Sequence, residues 1–316
     1  MNFIPAEVIN QRLKPLELVD KLEHAFASDI TTPMRQHFDI PNPFSSRENT
    51  LLVMPSWQQG SDIGIKLVTV TPDSHKYDLP SVQGVYVLFD AVKGNVKAMM
   101  DAASMTAKRT AAASALASRY LSRENSYTLL MVGTGTLSPE LIKAHCAVRP
   151  IEQVFIWGRD SAKAAQVKDK INELNITISV VEHLADAVPQ ADIVSCATLS
   201  REPLVLGKWL QSGQHLDFVG AYRPDMREAD DECVRRSRIV VDNHQSACKE
   251  TGDIKTPLET GVLSIDDIEA DLFELCRREK QFERQPSDIT FFKSVGHALE
   301  DLAAAQLLTS KMDASE

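Results

Sequence analysis

The sequence predicts an α/β protein in which a doubly wound parallel sheet follows an N-terminal α+β domain. Its central stretch, residues 127–147, has the pattern of a buried strand, a glycine turn and the start of a helix. Further short apolar runs follow, separated by helix-like segments such as residues 161–174, and this alternation is typical of a parallel sheet. The predicted strands are residues 127–132, 153–157, 176–181, 193–197, 215–219 and 239–241.

Two glycines follow the first of these strands and predict a dinucleotide site of the Rossmann type. Gly133 and Gly135 allow the tight turn and the close backbone approach that a pyrophosphate needs. Ser138 and Pro139 are a favourable N-cap and first helical residue, so free N–H groups of the helix start would face the phosphates. The third glycine of the usual G-x-G-x-x-G pattern is Ser138 here, so a plain strand-to-helix turn without a ligand is the alternative for the motif alone.

The end of the second strand predicts the choice of cofactor. An NAD site usually places Asp or Glu there, on the ribose hydroxyls, whereas this chain has Arg159, which suits the 2′-phosphate of NADPH. Asp160 follows directly, but its place before Ser161 predicts the N-cap of the next helix. We therefore expect NADPH as the cofactor, with NADH as the second choice.

The composition limits the kinds of partner. The chain has 316 residues, 43% hydrophobic and 25% charged, which is ordinary for an enzyme with a well-buried core. A formal net charge of -10 without a basic block argues against nucleic acid or an anionic membrane as partner. The five cysteines are scattered and the eight histidines show no metal-ligand spacing, so neither disulfides nor a metal site is predicted. The sequence shows no signal-peptide pattern, and a cytoplasmic location is expected.

The first hundred residues predict an antiparallel or mixed sheet and a packing helix at residues 16–27. The predicted strands are residues 34–40, 50–57, 63–70, 83–90 and 95–100. Two basic residues are unusual there, because Lys66 lies among apolar neighbours and Arg35 opens a strand. The alternative to a functional role places Lys66 on the solvent face of an edge strand and Arg35 at a strand mouth.

An alanine-rich segment, residues 101–120, predicts a long helix that joins this sheet to the nucleotide-binding part. Arg109 lies in its middle, where small neighbours allow close packing. Its guanidinium could therefore bind a carboxylate through two hydrogen bonds. A solvated helix arginine is the alternative. Toward the end of the chain we expect a helix at residues 265–278, a strand at 289–295 and an amphipathic helix at 298–308.

Together these residues resemble the ornithine cyclodeaminase and mu-crystallin family over nearly the whole chain. The matching segments are residues 64–68 (GIKLV), 88–90 (LFD), 105–117 (MTAKRTAAASALA), 132–136 (VGTGT), 149–154 (RPIEQV), 157–159 (WGR), 191–194 (ADIV), 219–228 (VGAYRPDMRE) and 292–296 (FKSVG). The resemblance implies a substrate-binding and dimerisation domain, residues 1–122 completed by 287–316, and a Rossmann domain, residues 123–286. It also implies a homodimer with a shared β-barrel and an active site in each cleft between domains.

The resemblance also implies roles for single residues. Arg35 and Arg109 would bind the substrate carboxylate, and Lys66 would take the place of the catalytic lysine. The residues predicted to line the cofactor are Thr110, Gly133, Thr134, Gly135, Thr136, Leu137, Arg159, Cys196, Ala197, Thr198, Val219 and Ser294.

Two positions depart from the family pattern. Leu137 replaces a glutamine that commonly follows the glycine turn, which removes a side-chain hydrogen bond near the phosphates. Tyr222 stands where cyclodeaminases and alanine dehydrogenases use an aspartate as acid and base. A phenol with a reference pKa of about 10 is a poor base near neutral pH, so Tyr222 is expected to donate a hydrogen bond or to supply aromatic surface.

The resemblance implies hydride transfer at a carbon that bears nitrogen, with NAD(P)H as the cofactor. We expect a reductase of a small cyclic ketimine, Δ1-pyrroline-2-carboxylate first and Δ1-piperideine-2-carboxylate second, with proline or pipecolate as the product. Ornithine cyclodeamination and alanine dehydrogenation are the alternative activities. A protein that binds NADPH without turnover, as mu-crystallin's name suggests, is the alternative of another class, and the presence of Lys66, Arg35 and Arg109 together argues against it.

Overall fold

The computed structural model describes residues 3–45 and 47–314 and confirms the mixed α/β class. The strands are β1 Phe3–Ile4, β2 Ile30–Thr31, β3 Gln36–Ile40, β4 Asn49–Gln58, β5 Asp62–Val70, β6 Val82–Asp90, β7 Val96–Asp101, β8 Thr128–Val132, β9 Gln153–Trp157, β10 Thr177–Val181, β11 Ile193–Cys196, β12 His215–Phe218, β13 Arg238–Val241, β14 Ile268–Asp271 and β15 Thr290–Lys293. The helices are α1 Ala6–Arg12, α2 Pro15–Ala27, α3 Ala102–Leu121, α4 Leu137–Val148, α5 Ser161–Asp169, α6 Leu184–Ala187, α7 Asp231–Arg235, α8 His244–Glu250, α9 Gly252–Glu259, α10 Leu272–Cys276 and α11 Ala298–Asp313. Across these two ranges, no helix has the length and hydropathy needed to cross a bilayer.

The chain divides into two compact units, Met1–Arg109 with His297–Glu316 and Thr110–Gly296. The first division lies within α3, and the second lies just before α11. The last helix therefore belongs to the same unit as the first hundred residues. The predicted domain bounds, residues 1–122 with 287–316 and 123–286, stay a prediction.

The first unit is built on a seven-stranded mixed sheet in the order β1-β7-β6-β5-β4-β2, with β3 also paired to β4. Neighbouring strands run antiparallel except for β1 and β7, which are parallel. Because side chains alternate along a strand, Asp62, Gly64, Lys66 and Val68 of β5 share one face, and all four are buried. Helix α11 packs against β4 and β5 in this unit, so its first turn can reach side chains of the sheet.

Gly64 makes room for a buried tyrosine beside Lys66. Tyr86 is the cross-strand partner of Lys66 on β6 and has no exposed surface. A Cβ built on Gly64 would lie 1.7 Å from the Tyr86 hydroxyl oxygen. A larger residue at this place would therefore displace the tyrosine ring that packs next to the lysine.

The second unit contains an eight-stranded parallel sheet in the order β10-β9-β8-β11-β12-β15-β13-β14. A parallel sheet is covered on both faces, which explains why its strands are short continuous apolar runs in the sequence. The carboxyl ends of these strands share one edge, and in open sheets of this kind ligands bind at that edge. The glycine turn after β8 lies there, between the ends of β9 and β11.

One predicted helix is wrong. Residues 265–278 form a short 3-10 turn, the strand β14 and the helix α10 instead of a single helix. Asp271 ends the strand and caps α10, because its side chain accepts the N–H of Glu274 while the Glu274 side chain accepts the N–H of Asp271. Pairing of β14 with β13 at the end of the sheet overrides the helical spacing of the apolar residues.

Candidate active site

Lys66 is buried in the first unit, with 3% of its surface exposed. Its strand, β5, lies between β4 and β6, so the alternative of a lysine on an edge strand is wrong. The Nζ atom lies 2.8 Å from Asp301 Oδ2 and donates to Thr106 Oγ1 at 3.4 Å. Burial and the nearby Arg109 lower the pKa of Lys66 to about 8, although Asp301 opposes the change. Lys66 therefore remains mostly charged at pH 7 but loses its proton only slightly above that pH.

Arg109 grips two carboxylates of its own chain. Its Nε–H donates to Asp301 Oδ1 at 3.1 Å, and its Nη1 donates to Glu300 Oε2 at 2.6 Å. The side chain is buried, so the alternative of a solvated helix arginine is wrong. Both carboxylates lie in the first turn of α11, where anions are favourable. Nη2 makes no hydrogen bond to the part of the chain that the structure describes. The guanidinium is therefore fixed through Nε and Nη1, and the N–H groups of Nη2 remain as donors for a ligand.

Asp301 joins the lysine to the arginine. Its two oxygens contact different cations, Oδ1 that of Arg109 and Oδ2 that of Lys66, and the residue has no exposed surface. Burial acts to raise the pKa of Asp301, but the two cations outweigh it and hold that pKa below its usual value. Together with Glu300, this arrangement provides two buried carboxylates for two buried cations.

His297 precedes α11 and borders the same cluster. Its Nδ1 accepts a backbone N–H of the first helical turn, and its Nε2 lies 3.2 Å from Thr32 Oγ1. Burial lowers the pKa of His297 to about 4, with Arg35 and Arg109 contributing in the same direction. The imidazole is therefore neutral at pH 7, and because Nδ1 accepts, its proton lies on Nε2 and points to Thr32. Arg35 is half-buried directly before β3, and its charge contributes to the lowered pKa of His297.

The turn after β8 has the geometry of a dinucleotide cradle. Gly133 has a φ of +123°, and a Cβ there would lie 2.5 Å from the carbonyl oxygen of Ala197. Gly135 is exposed, and a Cβ on it would meet nothing within 4 Å, so a ligand can approach its backbone. The prediction of Ser138 as N-cap is wrong, because α4 begins at Leu137. Ser138 is buried instead, and its hydroxyl donates to the carbonyl of Gly133.

The start of α4 also fits a phosphate. Thr136 is the N-cap and makes no side-chain capping bond, and both Gly135 and Thr136 are exposed. A helix start of this kind presents backbone N–H groups and a partial positive charge. Gly158, at the end of β9, packs against the turn, since a Cβ on it would lie 2.5 Å from the Thr134 methyl group. The residues present therefore suit a dinucleotide whose pyrophosphate lies on this turn.

Arg159 is exposed directly after Gly158 and thus lies next to the glycine turn. Asp160 accepts the N–H of Ala162 at 2.9 Å and that of Lys163 at 3.4 Å, which confirms it as the N-cap of α5. The carboxylate is therefore engaged by its own helix. Arg159 is the charged side chain at the position where nucleotide sites of this type recognise the ribose.

The remaining predicted cofactor residues are Thr110, Cys196, Ala197, Thr198, Val219 and Ser294. Thr110 is buried in α3, whereas the others end or follow β11, β12 and β15. These three strands are adjacent, so their carboxyl ends bring those five residues to neighbouring positions of one sheet edge. Tyr222 belongs to the same unit, in the segment after β12, and 42% of its surface is exposed. Its chemical role stays a prediction.

Sequence reasoning missed the residues that hold these groups in place. In the sequence, Glu300 and Asp301 look like ordinary polar residues of an amphipathic helix. Two adjacent acidic residues at a helix start are nevertheless a recognisable pattern, because anions are favourable there. Asp242 was also missed. It follows β13, and its Oδ2 accepts the hydroxyl of Ser294 and the N–H groups of Val295 and Gly296. A buried aspartate therefore fixes the segment that follows β15.

One group of side chains has the residue types of a metal site, namely His244, Asp271 and Glu274. Glu274 Oε2 lies 3.1 Å from His244 Nε2, and Glu274 Oε1 lies 3.2 Å from Lys280 Nζ. Asp271 and Glu274 also form the capping box of α10. These contacts account for the cluster as a structural element of the sheet's last strand and helix.

The doubly wound sheet, the open glycine turn and the adjacent strand ends define a dinucleotide-binding protein of the oxidoreductase class. Comparison with protein families identifies it further. The model of the ornithine cyclodeaminase/mu-crystallin family matches residues 3–316. The chain belongs to this family.

Individual relatives agree in fold and in class of activity. The Δ1-pyrroline-2-carboxylate reductase of Colwellia psychrerythraea is 35% identical over 315 residues, which are 99% of each chain. The structure of Thermococcus litoralis Δ1-pyrroline-2-carboxylate reductase in complex with NADH and L-proline has a TM-score of 0.93 and 31% identity, covering 100% of this chain and 98% of the other. An archaeal alanine dehydrogenase dimer with bound NAD has a TM-score of 0.89 and 26% identity, covering 99% and 96%. These findings confirm the predicted family, the fold class and an NAD(P)H-dependent oxidoreductase.

Proposed function

We propose that this protein reduces Δ1-pyrroline-2-carboxylate to L-proline with NADPH, and accepts Δ1-piperideine-2-carboxylate as a second substrate. The observation that carries the proposal is the buried pair of Lys66 and Arg109, held by Asp301 with hydrogen-bond donors left over. Similarity to reductases of this substrate, one of them solved with NADH and L-proline, supports the same conclusion.

The spare donors account for binding of a substrate carboxylate. An ammonium group has three N–H bonds; Lys66 donates one to Thr106 and forms an ion pair with Asp301. Arg109 uses Nε and Nη1, which leaves Nη2 for a ligand. Hydrogen bonds from cations to a carboxylate are the strong kind, and the internal carboxylates fix both side chains before a ligand arrives. Arg35 supplies a further cation for the same anion.

Reduction of the ketimine requires mainly that the protein position the substrate next to the cofactor. The reduced nicotinamide, when bound, supplies a hydride to the ring carbon of the protonated C=N bond. The ring nitrogen already carries its proton, so the chain needs no base to complete the amine. Lys66 and Arg109 fix the carboxylate that is attached to the reacting carbon. This lowers the activation barrier, because the entropy cost of bringing the reactants together is met when the substrate binds.

The second unit would hold the cofactor. Gly133, Gly135 and the start of α4 receive the pyrophosphate, and Arg159 contacts the 2′-phosphate of NADPH. The strand ends at residues 196–198 and 219, with Ser294, line the nicotinamide half. We also propose a cytoplasmic homodimer. The cysteines are scattered and show no disulfide spacing, which suits a reducing compartment. On the first sheet, the apolar side chains of Phe38 and Leu67 are exposed among the described residues, which suits a second copy of the chain.

The direct test is oxidation of NADPH by the purified protein with Δ1-pyrroline-2-carboxylate. We expect turnover by the parent protein and its loss in Lys66→Met. Lys93→Met is the control, because it also replaces a lysine by methionine, but at an exposed position on a turn; its turnover should equal that of the parent. Ornithine with NAD should release no ammonia, because Tyr222 is a poor base. NADPH binding without turnover would contradict the proposal and favour a binding protein, and proline formation from ornithine would identify a cyclodeaminase.

The cofactor preference is tested separately with Arg159→Ala. A charge-assisted contact to the 2′-phosphate contributes about 1.5 to 3 kcal/mol, or roughly tenfold to more than a hundredfold in affinity. Direct binding titrations should therefore show NADPH bound more tightly than NADH by the parent protein and nearly equally by the variant. Lys163→Ala, on the following helix, serves as the control. Equal affinity of the parent for both cofactors would refute this part.

A further inference from the structure

The position of the nicotinamide half follows from the order of strands in the second unit. The end of β9, with Arg159, lies on one side of β8, whereas β11 and β12 lie on the other. A dinucleotide with its pyrophosphate on the turn after β8 and its adenosine toward β9 therefore extends its nicotinamide over β11 and β12. The chain segments that follow these two strands, residues 197–199 and 219–222, then determine where the reacting ring lies.

A single buried carboxylate ties these two segments together. Glu228 has no exposed surface, and its oxygens accept four hydrogen bonds. Oε1 accepts the N–H of Thr198 at 2.7 Å and its hydroxyl at 3.0 Å, in the segment after β11. Oε2 accepts the N–H of Gly220 at 2.7 Å and that of Ala221 at 3.1 Å, in the segment after β12. Each oxygen thus holds one segment.

The two segments also touch at Gly220. A Cβ there would lie 2.0 Å from the carbonyl oxygen of Thr198 and 2.6 Å from Glu228 Oε1. No side chain fits in that space, so the segments cross in direct backbone contact. The relative position of the two strand ends is therefore fixed at one point and by one side chain.

A buried aspartate and a buried lysine hold Glu228 itself. Asp253 Oδ1 accepts the N–H of Glu228 at 2.8 Å and that of Ala229 at 3.1 Å. Lys293, the last residue of β15, has no exposed surface, and its Nζ lies 3.1 Å from Asp253 Oδ2 and 3.7 Å from Glu228 Oε2. β15 is the direct neighbour of β12, so the lysine arises from the same sheet edge. A charge that is fully buried and paired in this way cannot change its position without breaking other bonds.

We propose that Glu228 is a positioning residue for hydride transfer, which sets the nicotinamide ring through residues 197–199 and 219–222. This inference rests on the proposed function, because it assumes that these segments receive the nicotinamide. Glu228 has no exposed surface, so its effect reaches the cofactor site only through the groups that it bonds. It acts through the backbone of Thr198, Gly220 and Ala221.

Glu228→Gln tests this role. The amide keeps one acceptor for Thr198 but turns its NH2 group toward the N–H groups of Gly220 and Ala221, so one segment is released. The adenosine and pyrophosphate contacts are elsewhere, so the NADPH dissociation constant should change less than about threefold. The value of kcat should fall by about a hundredfold, the loss that a misplacement of about 1 Å can cause. The isotope effect with NADPH deuterated at the transferred position should rise, because hydride transfer then limits turnover.

A milder variant and a control complete the experiment. Thr198→Val removes only one of the four bonds, so it should lower kcat less than Glu228→Gln does and should keep the protein folded. Glu232→Gln is the control, because it makes the same exchange of glutamate for glutamine at an exposed position nearby. It should leave kcat unchanged. Unchanged kcat in both Glu228→Gln and Thr198→Val would overturn the proposal. A fall in kcat matched by an equal loss of NADPH affinity would also overturn it, since Glu228 would then only maintain the cofactor pocket.

Failure of the proposed function gives a different result. If the parent protein binds NADPH but does not reduce Δ1-pyrroline-2-carboxylate, the substrate assignment is wrong, and Glu228 can still be tested in the binary complex. Hydrogen exchange at the amides of residues 198, 220 and 221 should then be faster in Glu228→Gln. The fluorescence of the bound reduced nicotinamide should change while the dissociation constant does not. Identical fluorescence in parent and variant would refute the positioning role.

Discussion

Asp301 contacts Lys66 through one carboxylate oxygen and Arg109 through the other, so a change at this residue alters both cations. Burial lowers the pKa of Lys66, and Asp301 acts in the opposite direction to raise it. Without that carboxylate, the lysine would keep its burial and its repulsion from Arg109 and lose one compensating charge. The carboxylate thus helps to keep Lys66 protonated, which is the form that binds an anion.

We therefore predict that Asp301→Asn changes the pH dependence of kcat/KM. Lys66 has a pKa of about 8 in the free protein, so the parent should lose substrate binding as the pH rises through that value. The variant lacks a group that raises this pKa, so its decline should begin at lower pH, with a raised KM. Asp313→Asn, at the exposed far end of α11, is the control. An identical profile in Asp301→Asn would show that the ionisation of Lys66 does not govern binding.

The sequence indicated Arg109 as a functional residue but not the groups that hold it. An arginine among alanines and serines on a helix is unusual enough to be noticed without a structure. Its partner Glu300 lies 191 positions further along the chain, and no local pattern connects the two. The same holds for Lys66 and Asp301, since pairing between distant residues depends on how α11 packs on the sheet.

At the scale of elements, the strand, turn and helix around Gly133 were predicted from local chemistry. Short apolar runs and glycines specify such a unit because a strand covered on both faces and a tight turn leave few alternatives. The helix start was misplaced because Ser138 has the composition of an N-cap but uses its hydroxyl on the Gly133 carbonyl. Residues 265–278 were misassigned because only long-range pairing with β13 reveals β14 as a strand.

The two glycines of this turn should respond differently to the same substitution. In Gly133→Ala the added Cβ meets the carbonyl of Ala197 at a positive φ, so stability should fall by about 1 to 3 kcal/mol. In Gly135→Ala the methyl group enters open space, so the melting temperature should be unchanged. It would occupy room needed by the pyrophosphate, so the NADPH dissociation constant should rise about tenfold, a cost near 1.4 kcal/mol. Thermal unfolding and binding titrations separate the two effects, and unimpaired NADPH binding by Gly135→Ala would place the pyrophosphate elsewhere.

At the scale of the whole molecule, the first sheet has one face covered by α11 and another without cover among the described residues. Cross-strand partners point to the same face, which places Phe38, Leu51, Val53, Leu67 and Val85 together. Phe38 and Leu67 are 49% and 37% exposed. An apolar sheet face of this kind favours association, and a second copy of the chain is the occupant that we propose.

Leu67→Glu should therefore weaken the homodimer. A charge placed in the centre of an apolar interface without a partner costs several kcal/mol, so the dimer dissociation constant should rise by about a hundredfold or more. Sedimentation over a range of protein concentrations measures this constant. Leu79→Glu changes another exposed leucine, which lies outside the strands, and should leave association unchanged. If the parent is already a monomer at micromolar concentration, or if both variants behave alike, this face is not the interface.

The contribution of α11 to the first unit has a consequence for protein synthesis. Residues 1–109 leave the ribosome long before residues 297–316, with the whole second unit in between. During that interval Lys66 and Arg109 lack the carboxylates of Glu300 and Asp301, and burying unpaired cations is costly. We therefore expect the usual order, in which the N-terminal part of a chain folds first, to be reversed here. The second unit can fold during translation, whereas the cluster of Lys66 and Arg109 is completed only once α11 has been made.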